Sequence, residues 1–352
     1  MTQSQEEVPM SLFPLWDHSS SARAGFGSKD NVLLSHSHPQ QSAFASAGFE
    51  ASIFRLAEDG THFSFLFTAD DNHYFSVPQL DDELLVAAQM QFNKPFASVW
   101  QASFLLDYFY QDQVLDVSAT EVNLQTVHVI GHNLQFTPAL RREVGGAGWL
   151  ELSAPVARRV FRDPLDSYWE AGPKLTFGHP YGRKSEWAVS YSFTGRPYDT
   201  RTQTTSSGQS IPGSHLDFQQ HKFEIASWHF WDEPRRWRTV TKLSYRLNKD
   251  NGSGYFDYDR LQVSEQLRYR AKPWEGFAEI RFGHSLYGVQ EVSATDHSPR
   301  ELSELVWHVR VERQFQTWLK AYADFEQEHS FSNQTIERYV VNTVSGGLIL
   351  EF

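Results

Sequence analysis

The 352-residue chain contains no cysteine, so neither disulfides nor thiolate chemistry contribute to its stability or its reactions. It also lacks any long hydrophobic run: nothing in it approaches the roughly 20 consecutive apolar residues that a membrane helix needs. No secretory signal is visible, because residues 1–20 carry Glu6, Glu7 and Asp17 and have no long apolar core. There is no G-x-S-x-G, no phosphate-binding glycine loop and no dinucleotide fingerprint. Basic residues are scarce at the front of the chain. Residues 1–120 hold 15 acidic and 4 basic side chains against 28 and 27 in the remainder, which accounts for the net charge of −12. No cofactor, no metal and no nucleic-acid partner are expected.

Aromatic residues, by contrast, are abundant at 15% of the chain, although only 40% of residues are hydrophobic. The mean hydropathy of −0.49 is low. A transmembrane β-barrel reconciles these figures, since every second strand residue faces water and aromatics gather at both membrane interfaces.

The clearest pattern lies at the carboxy terminus. In 339–352, Val340, Val344, Leu348, Leu350 and Phe352 alternate with Thr343, Ser345, Gly347 and Glu351. That period of two describes a strand with one apolar and one polar face. Ser345, Gly347, Leu350 and Phe352 resemble the terminal assembly signal of bacterial outer-membrane barrels: a polar residue, glycine, an apolar residue and a final aromatic. The resemblance implies that the barrel-assembly machinery is a partner of this strand, with Leu350 and Phe352 facing outer-membrane lipid. A barrel must cross the inner membrane, so the chain is expected to be a mature form or to begin at a wrong start.

Ahead of that strand, compact turn signals recur at Glu58-Asp59-Gly60, Asn93-Lys94-Pro95, 145–148, 178–182, Asp232-Glu233-Pro234, Lys272-Pro273 and Gln316-Thr317. Longer polar loops separate them, around 29–41, 71–81, 111–121, 157–166, 197–215, 249–255, 290–300 and 329–336. The fold expected is all-β: a closed antiparallel transmembrane barrel of sixteen strands, or fourteen given the soft boundaries near 40 and 160. Short turns would lie in the periplasm with both termini, and the long loops outside. Residues 1–20 are expected to form an irregular periplasmic arm and 21–352 the barrel.

The strands sustain their alternation over long distances. Trp237, Thr239, Thr241, Leu243, Tyr245 and Leu247 share one face of 237–247, and Arg238, Lys242 and Arg246 share the other. Trp169, Trp187, Trp237, Trp274 and Phe352 stand at strand ends, where an interfacial girdle would sit. Segments 122–137 and 216–231 keep the period poorly, which predicts bulges or partial exposure.

The segment 250–260, followed by 266–270, resembles a loop and descending strand of Gram-negative barrels linked to tetratricopeptide repeats. Those barrels are distantly similar to surface lipoprotein assembly modifiers, and 25–32 is similar to their first strand and loop. The resemblance implies a partner-dependent translocator or scaffold of the outer membrane; residues 1–20 cannot hold even one repeat of about 34 residues, so that role would need the repeats to come from a separate periplasmic protein.

Three functions are open: a porin-like channel for small polar solutes in the bacterial outer membrane, that partner-dependent translocator, or an enzyme at the barrel rim. His128 and His132 are four apart on a strand, about 13 Å, too far to share one metal ion. His36 and His38 lie in a loop with nothing to complete a site. The pore-lining candidates are Arg238, Lys242, Arg246, Arg268, Arg270, Arg281 and Arg310, interleaved with Glu275, Glu279 and Glu312. They read either as a self-neutralising ladder or as one wall of a polarised pore facing acidic groups of the first strands. Trp318, Tyr322, Phe277 and Tyr287, or an inward loop 197–215, could narrow the lumen.

Overall fold

In the computed structural model, residues 16–352 are described apart from 58, 117–125, 147, 183 and 294. The first six strands are β1 (Trp16–Lys29), β2 (Ser42–Leu56), β3 (His62–Tyr74), β4 (Asp82–Ala97), β5 (Trp100–Asp116) and β6 (Thr126–Val144). Four short segments follow: β7 (Gly148–Ser153), β8 (Val156–Phe161), β9 (Tyr168–Ala171) and β10 (Lys174–Tyr181). Long strands then resume as β11 (Ser185–Pro197), β12 (Asp217–Phe230), β13 (Trp237–Asp250) and β14 (Tyr258–Ala271). The last are β15 (Trp274–Glu291), β16 (Pro299–Gln316), β17 (Leu319–Ser332) and β18 (Tyr339–Glu351).

β7 and β8 both pair with β6, and β9 and β10 both pair with β11, so each couple is one strand broken in the middle. The eighteen segments therefore make a closed antiparallel barrel of sixteen strands, sealed where β18 pairs with β1. The breaks fall at Pro155 and Pro173, which have no N–H for the ladder. Neighbouring groups bridge them: Ala154 N–H donates to Pro138 O at 3.1 Å and Phe193 N–H to Pro173 O at 3.0 Å.

Several boundaries differ from the sequence expectation. β1 begins at Trp16, inside the stretch assigned to an irregular arm, while residues 1–15 lie outside those described. Asn93, Lys94 and Pro95 belong to β4, and the turn falls at 98–99; the proline sits beside a register shift between Pro95 and Ala97, where its missing N–H is tolerated. Residues 178–181 likewise continue β10, and the turn comes after Tyr181. Nor is β12 irregular. It pairs without interruption on both sides, and the register shifts fall instead near Pro95, between Leu286 and Glu291, and between Gln314 and Gln316. Its apparent loss of period came from polar outward residues such as His221 and Ser227, which hydrogen-bond to tyrosines rather than break the ladder.

The pleat gives the barrel an apolar outside and a polar inside. Val344, Leu348, Leu350 and Phe352 point outward, Phe352 at 74% exposure. Val341 and Ile349, one residue out of phase, are buried against the inner surface. Outward aromatics stand both at strand ends and in mid-strand, as Phe282 and Trp307 do. On the turn side, arginines stack over them: Arg55 on Trp16, Arg142 on Trp100 and Arg313 on Trp274, each within about 5.3 Å of the ring centroid. Each such pair presents an apolar ring and stem with a polar guanidinium tip. Of the expected girdle residues, Trp187, Trp237, Trp274 and Phe352 stand at the turn side and Trp169 at the loop side.

Candidate pore lining

Register assigns the inner face residue by residue. On β13, Arg238, Lys242 and Arg246 point inward, in phase with the fully buried Asn248. Pairing carries that phase to Arg268 and Arg270 on β14, to Glu275, Glu279 and Arg281 on β15, and to Arg310 and Glu312 on β16. The ten pore-lining candidates thus share one continuous inner surface. Of the four bulky residues, Tyr322, Phe277 and Tyr287 are on this surface. Trp318 is not: it sits in the turn before β17 and is 52% exposed.

The charges on this surface fall into two sectors. Across β15–β17 they neutralise one another. Arg281 Nε lies 3.0 Å from Glu279, Arg310 Nε 2.8 Å from Glu312, and Lys320 Nζ 2.5 Å from Glu351. Asp324 joins Arg310 at 3.8 Å and His308 at 3.1 Å. This sector is the self-neutralising ladder that one reading of the sequence describes.

The sector β12–β14 is different. Arg246 stands directly opposite Lys222 on one side and Arg260 on the other, and Arg238 directly opposite Arg268. Like charges opposed across a ladder are unfavourable, by roughly 0.2–1 kcal/mol a pair. The flanking members of the first row are paired outward, Lys222 with Glu224 and Arg260 with Glu304, both at 2.5 Å. Arg246 between them, and Arg238, Lys242 and Arg268, have no carboxylate within 4.0 Å among the described residues. Arg270 is held only at 3.5 Å from Glu275. One wall therefore carries a run of uncompensated cations.

The acids of the first strands face inward too but are mostly engaged. Arg23 binds Asp70 and lies 3.5 Å from Glu50, and Lys29 is 3.7 Å from Glu83. Asp107 accepts from Gln89 at 2.7 Å. The wall opposite the cations is consequently less acidic in effect than residue counts suggest. The sequence reading missed Lys222 and Arg260. Lys222 lay in a segment judged irregular and Arg260 at the end of a presumed loop, so parity was not applied to either.

Between the walls is an open space. A cavity of about 1070 Å³ occupies the turn-side half, with Phe54, Leu66, Thr68, Gln89 and Phe109 on one side and Arg270 on the other. Towards the loop side the lumen narrows. Val32 and Leu33 of the first loop and Val77 and Leu80 of the second pack on Phe44, Tyr74 and Val114. Loop 198–216 leans on inward residues as well: the Tyr198 ring meets Phe218 at 5.4 Å, and Arg201 lies 4.6 Å from the Phe256 ring. The segment 250–260 is wound around Asp250, whose carboxylate accepts from the N–H groups of Gly252, Gly254 and Phe256 at 2.8–2.9 Å.

The histidine pairs lie away from the lumen. His128 bonds Asp112, and His132 the hydroxyl of outward-facing Tyr108 at 3.0 Å. His36 bonds the Arg338 carbonyl. Among the described residues, no three metal-ligating side chains converge.

The terminal residues occupy the seam. Phe352 and Leu350 face outward, and Ser345 and Gly347 inward, Gly347 directly opposite Gly25.

No family model and no curated protein matches the chain. The resemblance to assembly-modifier barrels at 250–260, 266–270 and 25–32 thus gains no support. Solved structures do match. OccAB1 of Acinetobacter baumannii is 10% identical with a TM-score of 0.50, over 96% of this chain and 97% of that one. OccK9 (OpdG) of Pseudomonas aeruginosa is 8% identical at 0.49, over 96% and 98%. CdiB of A. baumannii is 10% identical at 0.47, over 95% of this chain and 60% of that one. Of these three only OccAB1 reaches 0.50, and at 10% identity what the two chains share is a fold, a large closed β-barrel.

Proposed function

We propose that the protein is a passive channel of the bacterial outer membrane for small polar solutes, and that it favours anions. The membrane placement rests on the apolar outer surface of a closed barrel, whose backbone bonds all close within the sheet. The long loops are taken to face outside and the turns the periplasm. The observation that carries the selectivity is the row Lys222–Arg246–Arg260 with the pair Arg238–Arg268: cations opposed to cations on an inner wall that apolar or neutral residues could equally well have built. Between low-dielectric walls, fixed charge concentrates counter-ions, so an anion passing this sector meets Arg238, Lys242, Arg246 and Arg268, none of which has a carboxylate within 4.0 Å among the described residues.

Purified protein in a planar bilayer is expected to conduct, with anions favoured. Arg246→Glu together with Arg268→Glu is expected to move selectivity towards cations. The shift should shrink in concentrated salt, because screening shortens its reach from about 10 Å at 0.1 M to 3 Å at 1 M. Selectivity indifferent to the reversal would mean that these side chains only brace the wall. A silent bilayer would mean that the loop-side packing closes the lumen, and would return the partner-dependent translocator to first place.

A further inference from the structure

The first and last loops meet on the outside of the barrel, at the loop-side end of the β18–β1 seam, over a groove of 530 Å³. Its floor belongs to the lipid-facing wall. His329 and Val340 are paired across β17 and β18, and Phe331 follows on the same face. Phe331 and Val340 are 45% and 40% exposed.

The roof is the first loop, held over the wall by Asn31. The Asn31 Nδ2 donates to Val340 O at 3.2 Å and to Ser35 O at 2.8 Å, and its Oδ1 accepts from Ser35 N–H at 2.9 Å. His36 closes the edge, its Nδ1 donating to the Arg338 carbonyl at 3.0 Å. The Arg338 side chain also lines the groove. Its Nε donates to Ser332 O at 2.5 Å, and the rest of the guanidinium fork has no partner among the described residues.

The nearby acids do not answer this charge. Asp30 accepts from the backbone and side-chain N–H groups of Asn342, both at 2.7 Å, and Glu337 is paired with Arg300. An uncompensated cation therefore overhangs an apolar floor at the height where the strands end.

We propose that this groove holds the phosphorylated headgroup of an outer-leaflet lipid, the phosphate on Arg338 and His36 and an acyl chain along Phe331 and Val340. The planar guanidinium matches phosphate oxygens in a bidentate fashion. With Nδ1 donating to a carbonyl, Nε2 is the ring nitrogen that His36 has left for the phosphate. The floor continues into the lipid-facing wall, which a soluble anion would leave bare and an acyl chain covers. This assignment shares the membrane placement of the proposed channel but not its conductance.

The test uses the full chain in phosphatidylcholine nanodiscs, titrated with diphosphorylated lipid A and read as lipid retained in native mass spectrometry. A saturable site is expected. The double variant His36→Ala/Arg338→Ala should weaken it by about tenfold or more, since the loss of even one charge-assisted hydrogen bond carries that factor. Arg338→Lys, which keeps the charge but not the fork, should fall between. Dephosphorylated lipid A should lose affinity to a similar extent. Unchanged heat-modifiable gel mobility would show that each variant keeps its barrel, and unchanged conductance would separate this site from the lumen. Undiminished retention in the double variant, or equal binding of the dephosphorylated lipid, would overturn the proposal. Displacement by inorganic phosphate at equal concentration would also overturn it, by assigning the site to a soluble anion.

Discussion

A close approach across the barrel seam falls at Gly25 and Gly347. They face each other across the seam, and the Tyr322 ring lies over them at 7% exposure, with Arg310 above that ring at 4.8 Å. A Cβ on Gly347 would stand 2.1 Å from the Ala24 carbonyl oxygen, and one on Gly25 2.3 Å from the Tyr322 hydroxyl. The first clash is with backbone and cannot be relieved by a rotamer. The glycine within the terminal assembly motif thus has a local reason of its own, an aromatic covering a close strand approach. Gly347→Ala is expected to destabilise the barrel by about 1–3 kcal/mol, the usual cost of overpacking. Denaturant unfolding in detergent checks this. Gly346→Ala, whose Cβ would come no nearer than 3.2 Å to the Tyr322 carbonyl oxygen, should cost much less. Equal losses in the two variants would refute the seam argument.

Among the elements, the loop between β15 and β16 carries two titrating groups, Asp296 and His297, whose hydrogen bonds link its order to pH. Asp296 accepts from the Ser298 side chain and N–H, which holds its carboxyl below the usual carboxylate range. His297 Nδ1 bonds Glu291 at 2.6 Å, and that hydrogen bond, with the charge behind it, raises the imidazole above its ordinary value. A raised histidine contributes its full stabilisation below the unfolded value, near 6.5, and loses it as pH rises through the folded one. A lowered aspartate contributes above about 3.9 and loses its share as pH falls through its folded value. The loop should therefore be best ordered in mildly acidic solution. Amide hydrogen exchange across 292–298 should slow on going from pH 8 to pH 6, and His297→Gln should abolish the change. Exchange that ignores pH after correction for intrinsic rates would dismiss the pair.

For the whole molecule, the terminus lets assembly and equilibrium stability be measured apart. Phe352 faces outward at the turn-side rim, where a charged side chain costs only about 0–1 kcal/mol, against 2–4 kcal/mol for a basic residue at the bilayer midplane. The Phe352→Asp variant should therefore refold in detergent nearly as well as the wild type, yet reach the outer membrane in much smaller amounts if the assembly machinery reads this residue. Heat-modifiable gel mobility of refolded protein, compared with folded protein in isolated outer membranes, separates the two effects. Normal membrane levels would remove the terminus as an assembly signal.

The sequence by itself determined the wall. The period of two in most of its strands, their even number and the inward phase of Arg238, Arg246 and Arg268 all follow from which residues alternate, because a strand has only two faces. Loop lengths likewise separated the two ends of the barrel. Where a proline sits beside a bulge, as at Pro95, the local signal misled, since only the neighbouring strand shows that the ladder continues. The segment 216–231 misled for a related reason. A lipid-facing histidine is costly when seen alone, and His221 is accounted for only once register places the Tyr191 hydroxyl 2.8 Å away. Tertiary structure alone decided which charges face one another across strands. Arg281 has Glu279 two residues away on the same face of its own strand, which the alternation already shows, whereas Arg246 has only Ser244 and Asn248 there and stands between two cations, Lys222 and Arg260, on its neighbours. That juxtaposition depends on the register of three strands together, and register is fixed by the closed sheet.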